Sequence, residues 1–123
     1  MSVEIISVKG LIFRYNSNEV LSDISFTVTM GDYIGLVGPN GSGKTTLIRT
    51  ILGLSTPEKG SIFLFGTKIQ DFKDWQRIGY LAQKSTYFNP LFPATVREIV
   101  ASGLLSQKGF PKRIDKYDER TIE

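Results

Sequence analysis

The stretch Gly38-Pro39-Asn40-Gly41-Ser42-Gly43-Lys44-Thr45, with Thr46 after it, fixes the reading of everything around it. Gly, four residues, then Gly-Lys-Thr is the phosphate-binding P-loop pattern. Successive backbone N–H groups turned inward make an anion cradle, and Gly41 and Gly43 let the chain curl tightly enough to build it. A helix beginning just after the loop adds its N-terminal amides and dipole, which favour phosphate charge. Lys44 can reach terminal phosphates as a point charge, and the Thr45 hydroxyl can sit on Mg²⁺. The pattern predicts binding of a nucleoside triphosphate.

The flanks agree with the motif. Tyr33-Ile34-Gly35-Leu36-Val37 is a short apolar run, the form of a buried parallel strand. Leu47, Ile48, Ile51 and Leu52 recur at helical spacing, and Gly53 stands at a plausible C′ position.

Composition sets outer limits. The chain has 123 residues, 41% hydrophobic and 22% charged, the balance of an ordinary globular domain. Its net charge is +3, but Lys108, Lys112, Arg113, Lys116 and Arg120 are interleaved with Asp115, Asp118, Glu119 and Glu123. That reads as a mixed solvated face, so no nucleic-acid partner is expected. There is no Cys, which removes disulfides, thiolate catalysis and Cys-ligated metals, and there is no His. No apolar run reaches the ~18 residues of a membrane span. Met1-Ser2-Val3-Glu4 does not open like a signal peptide, so the expected location is cytosolic.

Taken in order, Val3 to Tyr15 reads as one long or broken strand, and Asn16-Ser17-Asn18-Glu19 as a turn. Ile24, Phe26 and Val28 alternate with Ser25, Thr27 and Thr29, a half-buried antiparallel strand. Ser55 to Gly60 is a loop, Ser61 to Phe65 a strand, Gly66-Thr67 a tight turn, and Ile78 to Leu81 a buried-type strand leading to Gln83. Two prolines make Phe88 to Pro93 a loop, with aromatics free to form a contact surface or to tuck into the core. Thr95 and Glu98 form a capping box for a helix with Val96, Ile99, Val100 and Leu104 on its apolar face. Gly109-Phe110-Pro111 breaks the chain, and Asp115 to Glu123 begins a helix that no cap, Gly or Pro closes. The expectation is a sequence that continues beyond it.

Four features together resemble the nucleotide-binding subunit of ATP-binding cassette (ABC) transporters. They are Tyr15 in Phe13-Arg14-Tyr15, ahead of Val20-Leu21-Ser22-Asp23-Ile24-Ser25-Phe26; the loop as Gly-Pro-Asn-Gly-Ser-Gly-Lys-Thr-Thr-Leu; Gly53…Pro57…Gly60-Ser61-Ile62…Gly66; and Ile78-Gly79-Tyr80-Leu81-Ala82-Gln83. The resemblance implies an α/β fold: a mainly parallel P-loop NTPase sheet with flanking helices, preceded by an antiparallel β portion. Residues 1–123 would be the N-terminal part of one such domain, ending at the start of its helical region. It also implies that Tyr15 stacks on adenine and that residues Gly38 to Thr46 hold the phosphates of ATP. Thr45 and Gln83 would hold Mg²⁺, and Lys44 and Gln83 would take part in hydrolysis. Residues Lys84 to Phe92 would meet a transmembrane permease subunit, and a second ATP-binding subunit would complete a dimer at the inner face of the membrane. Phe92-Pro93-Ala94-Thr95-Val96-Arg97-Glu98-Ile99-Val100 and Gly103 resemble importers of zinc, manganese or chelated iron.

Some family parts have no counterpart here. No apolar strand is followed by the Mg²⁺-holding Asp and water-polarising Glu, since Ile62 to Phe65 runs into Gly66 and Ile78 to Leu81 into Ala82-Gln83. The Leu-Ser-Gly-Gly-Gln signature is missing, and Val100-Ala101-Ser102-Gly103-Leu104 lacks its second Gly and its Gln. The switch histidine is missing too. The expectation is therefore ATP contact without turnover by these residues alone, with an unpaired apolar strand at 33–37 and a tendency to associate. The alternatives are a non-catalytic ATP-binding regulatory module, or a soluble ABC-type ATPase without a membrane partner.

Overall fold

The computed structural model describes residues 2–83, 93–105 and 120. They fall into two compact units, 1–73 and 74–123.

The first unit is built on a hairpin. Strand β1, Glu4–Tyr15, pairs antiparallel with β2, Asn18–Thr29, through a turn whose Asn16 takes a left-handed conformation. Strand β3, Lys59–Leu64, adds antiparallel to the other edge of β1, and a two-residue β4, Thr67–Lys68, follows the Phe65-Gly66 turn, giving the order β2-β1-β3-β4. The long β1 reaches the core twice because a bulge resets its alternation. Val8 and Leu11 are three apart, yet both are buried, and three steps on β1 oppose two on β2. Gly10, at positive φ, is the extra residue, and its N–H donates to Ser25 Oγ at 2.8 Å. A second irregularity at Asp23, also at positive φ, turns Leu21 inward although it lies three residues before Ile24. Val8, Leu11, Phe13, Leu21, Ile62 and Leu64 then form one apolar face.

Gly60 crosses this bulge so closely that a Cβ there would lie 2.6 Å from the Gly10 carbonyl oxygen, and its φ of +99° already disfavours a side chain. Gly60→Ala should cost about 2–3 kcal/mol, read as a lowered midpoint in denaturant unfolding; an unchanged midpoint would show that the bulge can yield.

Helix α1, Lys44–Ile51, buries Thr46, Leu47, Thr50 and Ile51. It ends as its sequence predicts. Gly53 is left-handed at C′, its N–H bonds the Thr50 carbonyl at 3.1 Å, and the Leu54 N–H bonds that of Arg49 at 2.9 Å, which is a Schellman motif.

In the second unit, a 3₁₀ turn at Trp75–Arg77 precedes α2, Val96–Leu105. The capping box is formed reciprocally. Thr95 N–H and Oγ1 donate to Glu98 Oε2 at 2.7 and 2.9 Å, and Glu98 N–H donates to Thr95 Oγ1 at 3.3 Å. These bonds, the backbone one first, hold the Glu98 carboxyl below the usual carboxylate range. The expected apolar face is largely open: Val96, Ile99 and Val100 are exposed, while Ala101 is buried.

The α/β class and the antiparallel portion are as expected, but the two strands read from apolar runs are not formed. Residues 33–37 and 78–81 join no strand, and every pairing among the described residues is antiparallel. The reason is physical: an apolar run states a need for burial, while a strand also needs a neighbour to complete its ladder. Among the described residues nothing supplies one. The expectations for Lys84 to Phe92, for Gly109-Phe110-Pro111 and for a helix over 115–123 lie outside the described residues, apart from helical Arg120. Among the described residues no helix is long and apolar enough to cross a membrane.

Candidate functional site

The chain enters the site through a clasped turn. Asp32 N–H donates to the Thr29 carbonyl at 3.1 Å, and the Asp32 carboxylate accepts from Thr29 N–H at 2.7 Å and Thr29 Oγ1 at 2.8 Å. Those bonds keep the Asp32 carboxyl below its usual range, so the clasp is complete above that range and is lost as acid protonates it.

Residues 38–43 form the loop that the motif predicts, leading directly into α1. Ser42 N–H bonds the Pro39 carbonyl at 3.2 Å, Gly41 and Gly43 have φ of 81° and 93°, and Leu47 N–H closes the first helical turn on Gly43 O at 2.8 Å. Among the described residues no side-chain hydrogen bond caps the start of the helix. The Lys44 ammonium curls back over the loop. It donates to the carbonyls of Gly38 and Pro39, the latter at 2.7 Å, and to Ser42 Oγ at 3.3 Å. Its positive charge is therefore held by neutral oxygens.

Two of the loop's glycines, Gly38 and Gly43, stand where a side chain would intrude. A Cβ on Gly38 would lie 2.8 Å from Ser42 Oγ and 3.8 Å from Lys44 Nζ, inside the curl itself. A Cβ on Gly43 would lie 2.9 Å from the Val20 carbonyl oxygen and 3.0 Å from Leu21 Cδ2. Bare backbone at Gly43 thus lets the loop rest directly on β2.

The predicted residues separate into four groups. Gly38, Pro39, Asn40, Gly41, Ser42, Gly43, Lys44 and Thr45 lie on one continuous loop and helix start, with Thr45 exposed. Thr46 is buried in α1, where its carbonyl accepts a 2.7 Å bond from Thr50 Oγ1. Tyr15 lies at the end of β1, 52% exposed, its ring edge-on to buried Phe13 with centroids 4.9 Å apart. Its hairpin partner β2 is the strand that abuts Gly43, so the aromatic and the loop share one scaffold. Gln83 is exposed in a turn of the second unit and is placed only within that unit.

A charged cluster beside Tyr15 escaped the sequence reading. Arg14 Nη2 and Nε reach Glu19 Oε2 at 2.8 and 3.2 Å, Ser22 Oγ donates to Glu19 Oε1, and Arg14 Nη1 lies 3.5 Å from Glu58 Oε1. The Ser22 hydroxyl and then Arg14 hold the Glu19 carboxyl below the usual range. Opposite charges flanking a short turn were the available signal for Arg14 and Glu19. Glu58, distant in sequence, had none.

Comparison with known proteins gives these features a setting. The family model described as "ABC transporter" matches residues 21–121. The zinc uptake system ATP-binding protein ZurA of Listeria innocua is 48% identical over 120 residues, covering 98% of this chain and 47% of that protein. The zinc transport system ATP-binding protein AdcC of Streptococcus pneumoniae is 40% identical over 118 residues, 96% of this chain and 50% of that one. The manganese transport system ATP-binding protein MntB of Bacillus subtilis is 42% identical over 105 residues, 85% and 40%. The chain thus spans about half the length of the curated relatives it matches. Among solved structures, an ATP-binding cassette of an ABC transporter in its ADP conformation has a TM-score of 0.54 at 28% identity, over 60% of this chain and 29% of that one. A phosphate-type loop entering a helix, set on an antiparallel hairpin and matched over most of its length by one family model, places the chain: it belongs to the ABC transporter family.

Proposed function

We propose that these residues are the ATP-binding part of the ATPase subunit of an ABC importer for a divalent metal such as zinc or manganese. The observation that carries the nucleotide reading is the Lys44 ammonium, held by loop carbonyls beside Gly38, where a Cβ would crowd the Ser42 hydroxyl. Such a charge can exchange neutral oxygens for phosphate oxygens without first breaking an ion pair. The similarity to the zinc and manganese transport ATP-binding proteins ZurA, AdcC and MntB supports the metal-uptake setting.

Tyr15 would stack on the base, the backbone of residues Gly38 to Gly43 would bind phosphate oxygens, and Lys44 would meet the terminal phosphates. Thr45 is exposed at the helix start, where its hydroxyl would suit Mg²⁺, and Gln83 would add a neutral carbonyl. When bound, Mg²⁺ supplies charge neutralisation at the phosphate oxygens. In the working assembly a permease subunit docks at the segment after Gln83, a second ATP-binding subunit pairs with this one, and both lie at the cytoplasmic face of the membrane.

This half of the site binds and positions ATP but does not polarise water. The test is equilibrium titration of the 123-residue chain with ATP and Mg²⁺, alongside an assay for released phosphate. Expected is saturable ATP binding with no phosphate release above background. Release by the pure chain would show a water-activating group within these residues, and a lack of ATP binding would overturn the nucleotide reading.

A further inference from the structure

We propose that Arg14 is a positioning residue for nucleotide binding, clamping the hairpin tip so that Tyr15 stands fixed relative to the phosphate loop. The inference rests on the nucleotide reading above and assigns a role to a cluster that reading leaves unused. Successive strand residues point to opposite faces, so Arg14 works from the side opposite the Phe13–Tyr15 ring pair. Its fork joins the end of β1 to the start of β2 through Glu19, and its other nitrogen reaches Glu58 on the approach to β3. The Glu19 carboxylate is filled by three donor contacts, two from Arg14 and one from Ser22. Glu58 is anchored in turn by its own N–H, which donates to the Ile12 carbonyl at 2.9 Å. Three chain segments are thus tied together one residue from Tyr15.

The tie matters because the tip has little else to hold it. Tyr15 pairs with Asn18 across the two-residue turn, where hairpins fray first. The strand leaving that turn carries Val20 and Leu21, which touch Gly43. A fixed tip therefore sets the spacing between base platform and phosphate cradle before ligand arrives, sparing the cost of ordering it on binding. Arginine suits the task because its planar fork engages two carboxylates at once, which an ammonium does poorly.

The test is calorimetric titration of the full chain with ATP and, separately, with inorganic tripolyphosphate, which has no base. Arg14→Met should weaken ATP about threefold relative to tripolyphosphate, the size expected of exposed ion pairs. Arg14→Lys should recover part of that loss, and Tyr15→Ala should lower the ratio further. Because both ligands are polyanions, salt effects on the phosphates cancel in the ratio. In the wild type the ratio should still fall between low and ~1 M salt as the clamp is screened. Two results overturn the clamp: an unchanged ratio in Arg14→Met when Tyr15→Ala lowers it, whether neither ligand weakens or both weaken equally as with a merely structural ion pair; or a salt-independent ratio in the wild type. The salt result decides even where Arg14→Met does not fold. If Tyr15→Ala leaves the ratio unchanged, the base-stacking reading itself fails and the clamp falls with it.

Discussion

Lys44→Ala should lower ATP affinity roughly 10- to 100-fold, the range expected when a charge-assisted contact to phosphate is removed, while leaving the unfolding midpoint nearly unchanged. The two halves of this expectation come from different parts of the structure. The ammonium touches only the loop's own neutral oxygens, and among the described residues no carboxylate pairs with it. It therefore presents an uncompensated charge at the mouth of the loop, which is of use only to an anion. The fold draws its support elsewhere: α1 is anchored by Leu47 and Ile51 in the core and closed by Gly53 at its far end. Paired ATP titrations and thermal melts of wild type and variant check both halves. Equal ATP affinity would mean that the loop binds nucleotide without its lysine, and a collapsed melt would mean that the curl over Gly38 and Pro39 is structural.

The sequence was legible where local chemistry alone determines local shape. Glycines at fixed offsets before Lys44, a Thr-x-x-Glu box at Thr95, and Gly53 after an apolar helix face each specify a backbone conformation on their own, and each is found as expected. It was less legible where the outcome depends on a second segment. The bulges at Gly10 and Asp23 shift which residues of β1 and β2 reach the core, and simple alternation does not register an extra residue. The expected strands at 33–37 and 78–81 failed for the same kind of reason, since Val, Ile and Leu report apolarity but not who sits beside them. At the site, the loop's glycine turns and its run into α1 could be read. The Arg14–Glu58 contact and the seat of Gly43 on Val20 arise only when β3 and the hairpin come together.

The stretch before the loop leads to the second large expectation, that the 123-residue chain self-associates as concentration rises. Tyr33 is 99% exposed, Ile34 59%, Leu36 47% and Val37 94%, a run of apolar side chains on backbone that joins no strand. Exposed β-type sequence with unpaired backbone groups offers both halves of a strand pairing, hydrogen bonds along its length and apolar contact on its faces. Each large side chain newly buried would contribute about 1.5–3 kcal/mol, so four together outweigh a modest ordering cost at micromolar to millimolar concentration. Sedimentation velocity over a concentration series should show growth beyond the monomer. Tyr33→Lys with Val37→Lys should suppress that growth, because charge at a strand edge blocks pairing and these two residues have the least packing to lose. The same pair should leave α1 and the β1–β2 hairpin intact, which circular dichroism would report. A single monomeric species at every concentration, with one sharp thermal transition, would mean that this stretch is covered by contacts within the chain. Association that persists in the double variant would move the sticky surface elsewhere, for example to Val96, Ile99 and Val100 on α2, another run of exposed apolar residues.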